Sequence, residues 1–127
     1  MDEKKKKSIR LWRRVFALLA WLMVACIVAQ TLLAGMAIFN DPKHWDSHVV
    51  FVHLFEVVPL LMILFAYLGR LPKGTGWLCL ALFGLIFLQY LTANLKGAGA
   101  FHPVMALVLI VLALYVARRA KSPTAQD

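Results

Sequence analysis

Four apolar runs, at about Val15–Phe39, His48–Gly69, Gly76–Leu95 and Phe101–Ala117, take up almost all of a 127-residue chain. A bilayer core about 30 Å thick is crossed by roughly 20 helical residues. It offers no water to unpaired backbone groups, so a lone apolar segment crosses it only as a helix that satisfies itself. The pattern therefore predicts four transmembrane helices joined by three short connections, which bring successive helices antiparallel. At 62% hydrophobic residues the chain is well above the roughly half-apolar composition of soluble domains. The expected fold class is all-α, an antiparallel four-helix transmembrane bundle. Residues 1–14 are expected as a basic cytoplasmic tail, 15–120 as a single transmembrane domain and 121–127 as a second cytoplasmic tail.

The formal charge of +8 is unevenly placed. Lys4, Lys5, Lys6, Lys7, Arg10, Arg13, Arg14, Arg70, Lys73, Arg118, Arg119 and Lys121 flank one side of the spans, whereas only Lys43 and Lys96 flank the other. Such asymmetry is the positive-inside signal. It puts both termini in the cytoplasm and turns residues 40–47 and 95–101 outward, as in a multi-pass protein of a prokaryotic cytoplasmic (inner) membrane. The basic charge thus answers to the lipid bilayer and its anionic inner leaflet rather than to nucleic acid. The first run, about 24 residues, exceeds the 7–15 of a signal-peptide apolar region and is expected to be a retained helix. Cys26 and Cys79 fall at depths differing by roughly 10 Å, too far for a disulfide, and both are expected in packing.

Local signals divide the chain further. Residues 1–10 are expected as a frayed polar tail, and Asn40-Asp41-Pro42 ends the first helix. Ser47 or Asp46 is the expected N-cap of the second. Pro59 has no N–H for the carbonyl of Phe55 and predicts a kink beside His53 and Glu56. Residues 69–74 form a cytoplasmic hairpin, Lys96-Gly97-Ala98-Gly99 a turn, and Pro103 takes a first-turn position in the last helix.

Ionisable groups inside a span cost about 2.5–3.5 kcal/mol on insertion scales and call for a partner. Counted from the cytoplasmic charges at 1.5 Å per residue, Gln30, His53, Gln89 and His102 all lie roughly 24–26 Å up, one per helix. His48 is expected some 7–8 Å higher, and Glu56 one turn below His53 on the same face. A weak repeat relates the first two helices to the last two: Gln30-Thr-Leu-Leu-Ala34 matches Gln89-Tyr-Leu-Thr-Ala93, and His53 matches His102.

Paired helical histidines inside a bundle suit the axial coordination of haem iron. The expected ligands are His53 and His102, with His48 as an alternative. Gln30 and Gln89 would orient imidazoles or touch the macrocycle, Ala34, Gly35 and Ala93 would leave room for a flat ring, and Glu56 would accept from His53 or carry protons. The haem would be a non-covalent haem b, since no Cys-x-x-Cys-His motif is present. Phosphate-binding loops, a nucleophile-plus-base set and a thiolate cluster for zinc are also missing from the sequence. Copper bound through Met36 and the histidines stays open. Electron transfer as a respiratory accessory cytochrome follows, with a quinone or a respiratory membrane complex as partner; haem carriage or sensing is a further alternative. The rival class is a non-catalytic accessory or assembly subunit whose His/Gln layer only fixes helix packing. Self-association is left open.

Gln30-Thr-Leu-Leu-Ala-Gly35, the His48…His53 helix start, Gly69-Arg-Leu-Pro72, Gln89 and His102-Pro103 resemble an uncharacterised family of small four-helix prokaryotic integral membrane proteins over roughly residues 15–120. That resemblance implies the four-helix layout. The two-histidine arrangement also looks like one four-helix half of the haem A synthase family, and this looser likeness implies a haem site.

The charge asymmetry gives a direct test of topology. A cysteine introduced at Asp41 is expected to react with a membrane-impermeant thiol reagent from the outer side only; reaction from the cytoplasmic side alone would invert the orientation.

Overall fold

The computed structural model describes residues 2–121. Its elements are α1 (Glu3–Phe39), α2 (His44–Phe55), α3 (Val58–Leu68), α4 (Thr75–Asn94) and α5 (Phe101–Arg119). The helices α2 and α3 are two parts of one 25-residue span, His44–Leu68. The four spans reach mean hydropathies of 2.3, 2.5, 1.8 and 2.0 over their best 18 residues, enough in length and composition to cross a membrane. The protein is a multi-pass membrane protein with an all-helical, four-span fold.

The helix α1 has 37 residues, about 55 Å at 1.5 Å per residue, well beyond the hydrocarbon thickness. It starts at Glu3, so residues 3–10 of the expected frayed tail are helical instead; residue 1 and residues 122–127 of the expected tails lie outside the described residues. The Asp2 side chain caps it, accepting from the Lys4 N–H at 3.4 Å, and Glu3 pairs with Lys6 at 3.2 Å. Lysine and arginine are good helix formers, and no Gly or Pro interrupts the run before Gly35. The expected stop at Asn40-Asp41-Pro42 is found, with Asn40 as C-cap.

The expected N-cap of the second span is corrected. Neither Ser47 nor Asp46 caps α2, which begins at His44. The turn at Asp41 and Pro42 has already set the helical hydrogen bonds: His44 N–H donates to Asp41 O and Trp45 N–H to Pro42 O, each at 3.0 Å. Asp41 itself lies outside the spans. It accepts from the Lys43 N–H at 3.0 Å and pairs with the Lys43 ammonium at 2.9 Å, which holds its carboxyl below the ordinary carboxylate value.

The kink predicted at Pro59 is a full interruption at Glu56 and Val57. Proline has no donor for the carbonyl four residues back. The ladder restarts at Val57, whose carbonyl accepts from Leu60 N–H at 3.0 Å and Leu61 N–H at 3.3 Å, with Pro59 in the first turn of α3.

The helix α1 packs on α3 and α5, and α4 packs on the same two, so α1 and α4 form one diagonal of a square and the α2–α3 span and α5 the other. The core stripe of α1, Phe16, Ala20, Met23 and Ile27, follows the three-to-four spacing of a helix face and meets Met62, Leu82, Ile86 and Val116. Cys79 is fully buried and Cys26 partly so, both as free thiols. The fully packed core ends about one turn below Gln30 and Gln89, and α2 packs chiefly against α1. The end of the bundle that carries Gln30 and Gln89 is therefore its more open end. Leu18, Leu32, Leu64 and Val111, each half exposed or more, face outward where hydrocarbon would cover them.

The opposite end is tied by arginines. Arg13 Nε donates to Gly69 O at 2.9 Å, while Arg119 Nε donates to Thr75 Oγ1 at 3.0 Å and its Nη2 to Lys73 O at 2.7 Å. Helices α1 and α3 approach closely at Gly69, where an added Cβ would meet Phe65 O at 3.0 Å and Arg13 N at 3.1 Å. Gly69→Ala should therefore cost about 1–3 kcal/mol, as overpacking does. Gly84, in the interior of α4 with open space around it, should gain helix propensity of up to about 1 kcal/mol on replacement by Ala. Thermal unfolding in detergent followed by circular dichroism is expected to show a lower Tm for the first and an equal or higher Tm for the second.

Candidate functional site

Polar side chains toward the more open end gather into two groups. The first spans both diagonals of the bundle: Gln30 on α1 with His48 on α2, and Gln89 on α4 with His102 on α5. His48 Nδ1 lies 3.0 Å from Gln30 O, and Gln30 Nε2 donates back to His48 O at 2.7 Å. His102 Nδ1 lies 3.0 Å from Gln89 O. With the Gln89 amide in its satisfied orientation, its nitrogen donates to His102 O at 2.9 Å and its oxygen accepts from Ala106 N–H at 3.1 Å. Each glutamine thus holds one histidine by the same two-way bond.

A carbonyl can only accept, so in both histidines Nδ1 carries the proton and Nε2 keeps its lone pair in the neutral ring. Thr92 fits this tautomer, since its hydroxyl donates to main-chain carbonyls of α4 and is left to accept from His102 Nδ1 at 3.2 Å. Neither Nε2 has a hydrogen-bond partner among the described residues. The two rings lie beside each other across the diagonal with centroids 6.3 Å apart and planes tilted by 57°. Trp45 stands edge-on to His48 at 5.6 Å. Gln30 Oε1 is buried without a partner.

The second group lies at the interruption between α2 and α3. Tyr90 of α4 donates its hydroxyl proton to Glu56 Oε2, which leaves its oxygen to accept from His53 Nδ1 at 3.2 Å. His53 Nδ1 is also 3.3 Å from Glu56 Oε2, and the His53 and Tyr90 rings stack at 5.6 Å and 15°. The expected His53–Glu56 contact is present, joined by a tyrosine that sequence reasoning passed over.

The remaining candidates fall around these groups. Ala34 and Gly35 are half-buried on α1 above Gln30, and a Cβ on Gly35 would meet nothing within 4 Å. Ala93 is exposed on α4. His53 and His102 share no hydrogen bond or ring contact among the described residues; the ring beside His102 is that of His48. The height count set His48 above the layer because it treated residues 47–70 as one straight rod. The chain is interrupted at Glu56 and Val57, α2 packs on α1, and His48 lies level with Gln30. In its bond to a glutamine, His48 rather than His53 is the counterpart of His102.

Among the described residues, no group of three or more His, Cys, Asp or Glu side chains is placed to hold a metal ion.

No curated protein and no solved structure matches the chain, so the likeness to half of haem A synthase rests on sequence pattern alone. One family model does match, over residues 30–95, just over half of the 127. The matched stretch holds Gln30, His48, His53, Glu56 and Gln89 and stops short of His102. The chain belongs to the family of unknown function DUF6220.

Proposed function

We propose that the protein is a membrane b-type cytochrome that binds one non-covalent haem b in the outer half of its bundle, with His48 and His102 as axial ligands. Electron transfer with a lipid-soluble quinone or a respiratory membrane complex is its role. The observation that carries this reading is the neighbouring His48–His102 pair. A metal–nitrogen bond is about 2 Å, and a ring nitrogen lies about 1.1 Å from its ring centroid. Two imidazoles holding one iron would have centroids roughly 6 Å apart if both Nε2 atoms turned toward it, and the two rings here are 6.3 Å apart.

Further support comes from the shell around the rings. Metal-ligating histidines commonly donate their other ring N–H to a carbonyl, which fixes the tautomer and raises ligand basicity. Both rings do this through the glutamine carbonyls. Two protein donors are what a haem requires of its axial positions, whereas structural zinc takes four. A Cβ on Gly35 would meet nothing within 4 Å, and Lys96, exposed in the α4–α5 turn, offers a cation for a haem carboxylate. With the positive-inside orientation, the haem would lie toward the outer face of a prokaryotic cytoplasmic membrane.

The packing reading has one specific observation in its favour. The reciprocal glutamine–histidine bonds tie α1 to α2 and α4 to α5, and such bonds between membrane helices stabilise by about 0.6 kcal/mol on average with no cofactor involved. The two readings separate by colour. Protein purified after expression with ample haem should give a reduced-minus-oxidised haem spectrum. His48→Ala and His102→Ala should each abolish it, whereas His53→Ala and Glu56→Gln should leave it in place. Colourless parent protein would leave the packing role standing, and a spectrum lost in His53→Ala but kept in His48→Ala would return the ligand to His53.

A further inference from the structure

The second polar group has no part in holding the histidine pair, yet it brings a carboxylate, an imidazole and a phenol together inside a span. Glu56 is 14 residues from Arg70, about 21 Å at 1.5 Å per residue, so the group lies in the outer half of the hydrocarbon. It is not sealed in the bundle: the His53 side chain is 55% exposed and that of Glu56 30%. The internal bonds use His53 Nδ1, Tyr90 Oη and Glu56 Oε2. Two acceptors, His53 Nε2 and Glu56 Oε1, have no partner among the described residues. Acceptors left unpaired at this depth are costly, and phospholipid headgroups do not reach it.

The rest of the surface is aromatic. His53 stacks on Tyr90, Tyr90 meets Phe87 edge-on at 6.3 Å, and Phe87 meets Phe83 at 5.2 Å. Phe87 is 56% exposed. A flat ring bearing hydroxyl donors would satisfy both features, stacking on the aromatic face while donating to the two acceptors.

We infer that His53, Glu56 and Tyr90 form a lipid-facing binding site for the headgroup of a lipophilic hydroquinone. A hydroquinone is an aromatic diol that partitions into hydrocarbon, so its chemistry and its depth both fit. One hydroxyl donates to His53 Nε2 or Glu56 Oε1, and the ring lies along the Phe87–Tyr90 face. Tyr90 is a positioning residue: its hydroxyl fixes Glu56 and the His53 tautomer. This inference names the quinone partner's place in the proposed cytochrome, but its test does not read the haem.

Binding of duroquinol under anaerobic conditions would be measured by its partition into nanodiscs containing the protein, against empty nanodiscs. The parent is expected to bind about one duroquinol per chain saturably, and the dimethyl ether of duroquinol, which lacks both donors, no more than empty nanodiscs do. His53→Leu and Glu56→Leu should each weaken binding tenfold or more with helix content unchanged, and Tyr90→Phe should weaken it less. His48→Ala should bind as the parent does. Absent saturable binding, equal uptake of the ether, or displacement of duroquinol by dioleoylglycerol would overturn the assignment, the last by giving the site to lipid hydroxyls. Colourless protein that binds duroquinol would sink the haem reading alone; coloured protein that does not bind would sink this one alone.

Discussion

A polar atom in the bilayer core has no water to turn to, and the more open end of this bundle is arranged around that shortage. Gln30 and Gln89 could each have tied two helices together through side chains alone. Instead each amide donates to a histidine carbonyl and each main-chain carbonyl takes a histidine N–H. The exchange fixes the position of two imidazoles and their protonation pattern in one stroke. It leaves both Nε2 atoms without a hydrogen-bond partner among the described residues, on neighbouring rings. Below this level the buried core is apolar, with the His53, Glu56 and Tyr90 group at its edge.

The fold was legible in the sequence because it depends on quantities that add along a segment. Span length, hydropathy and charge asymmetry each sum over some twenty residues, and no single position could spoil them. The stop at Asn40-Asp41-Pro42 and the interruption near Pro59 were legible for a different reason, since proline removes a donor wherever it stands. What misled was the continuation of helices past their polar ends. The lysines of α1 look like a solvated tail, but they are good helix formers behind an Asp2 cap, and nothing after them breaks the helix.

The candidate site was half legible. Its residue types and approximate level could be read, because Gln and His inside apolar runs stand out against insertion costs. The pairing could not, because it depends on where α2 packs along α1, which a residue count along one span does not give. That is why His48 stood as the alternative and His53 as the first choice. Tyr90 was overlooked because a tyrosine near a span end is expected at the interface on general grounds. The signal that could have found it was its position one residue after Gln89, level with a histidine and a carboxylate on a neighbouring span.

The interruption at Glu56 and Val57 also bears on how the chain enters the membrane. It leaves helical pieces of 12 and 11 residues, each too short to cross a core that takes roughly 20. The two must therefore be inserted as a single unit. α3 is the more apolar piece, Val-Pro-Leu-Leu-Met-Ile-Leu-Phe-Ala-Tyr-Leu without one charged residue. Its favourable transfer offsets the cost of carrying His48, His53 and Glu56 into lipid. The α3 part of this span thus acts as the insertion anchor for the more polar α2 part, which is too short to hold in the bilayer by itself.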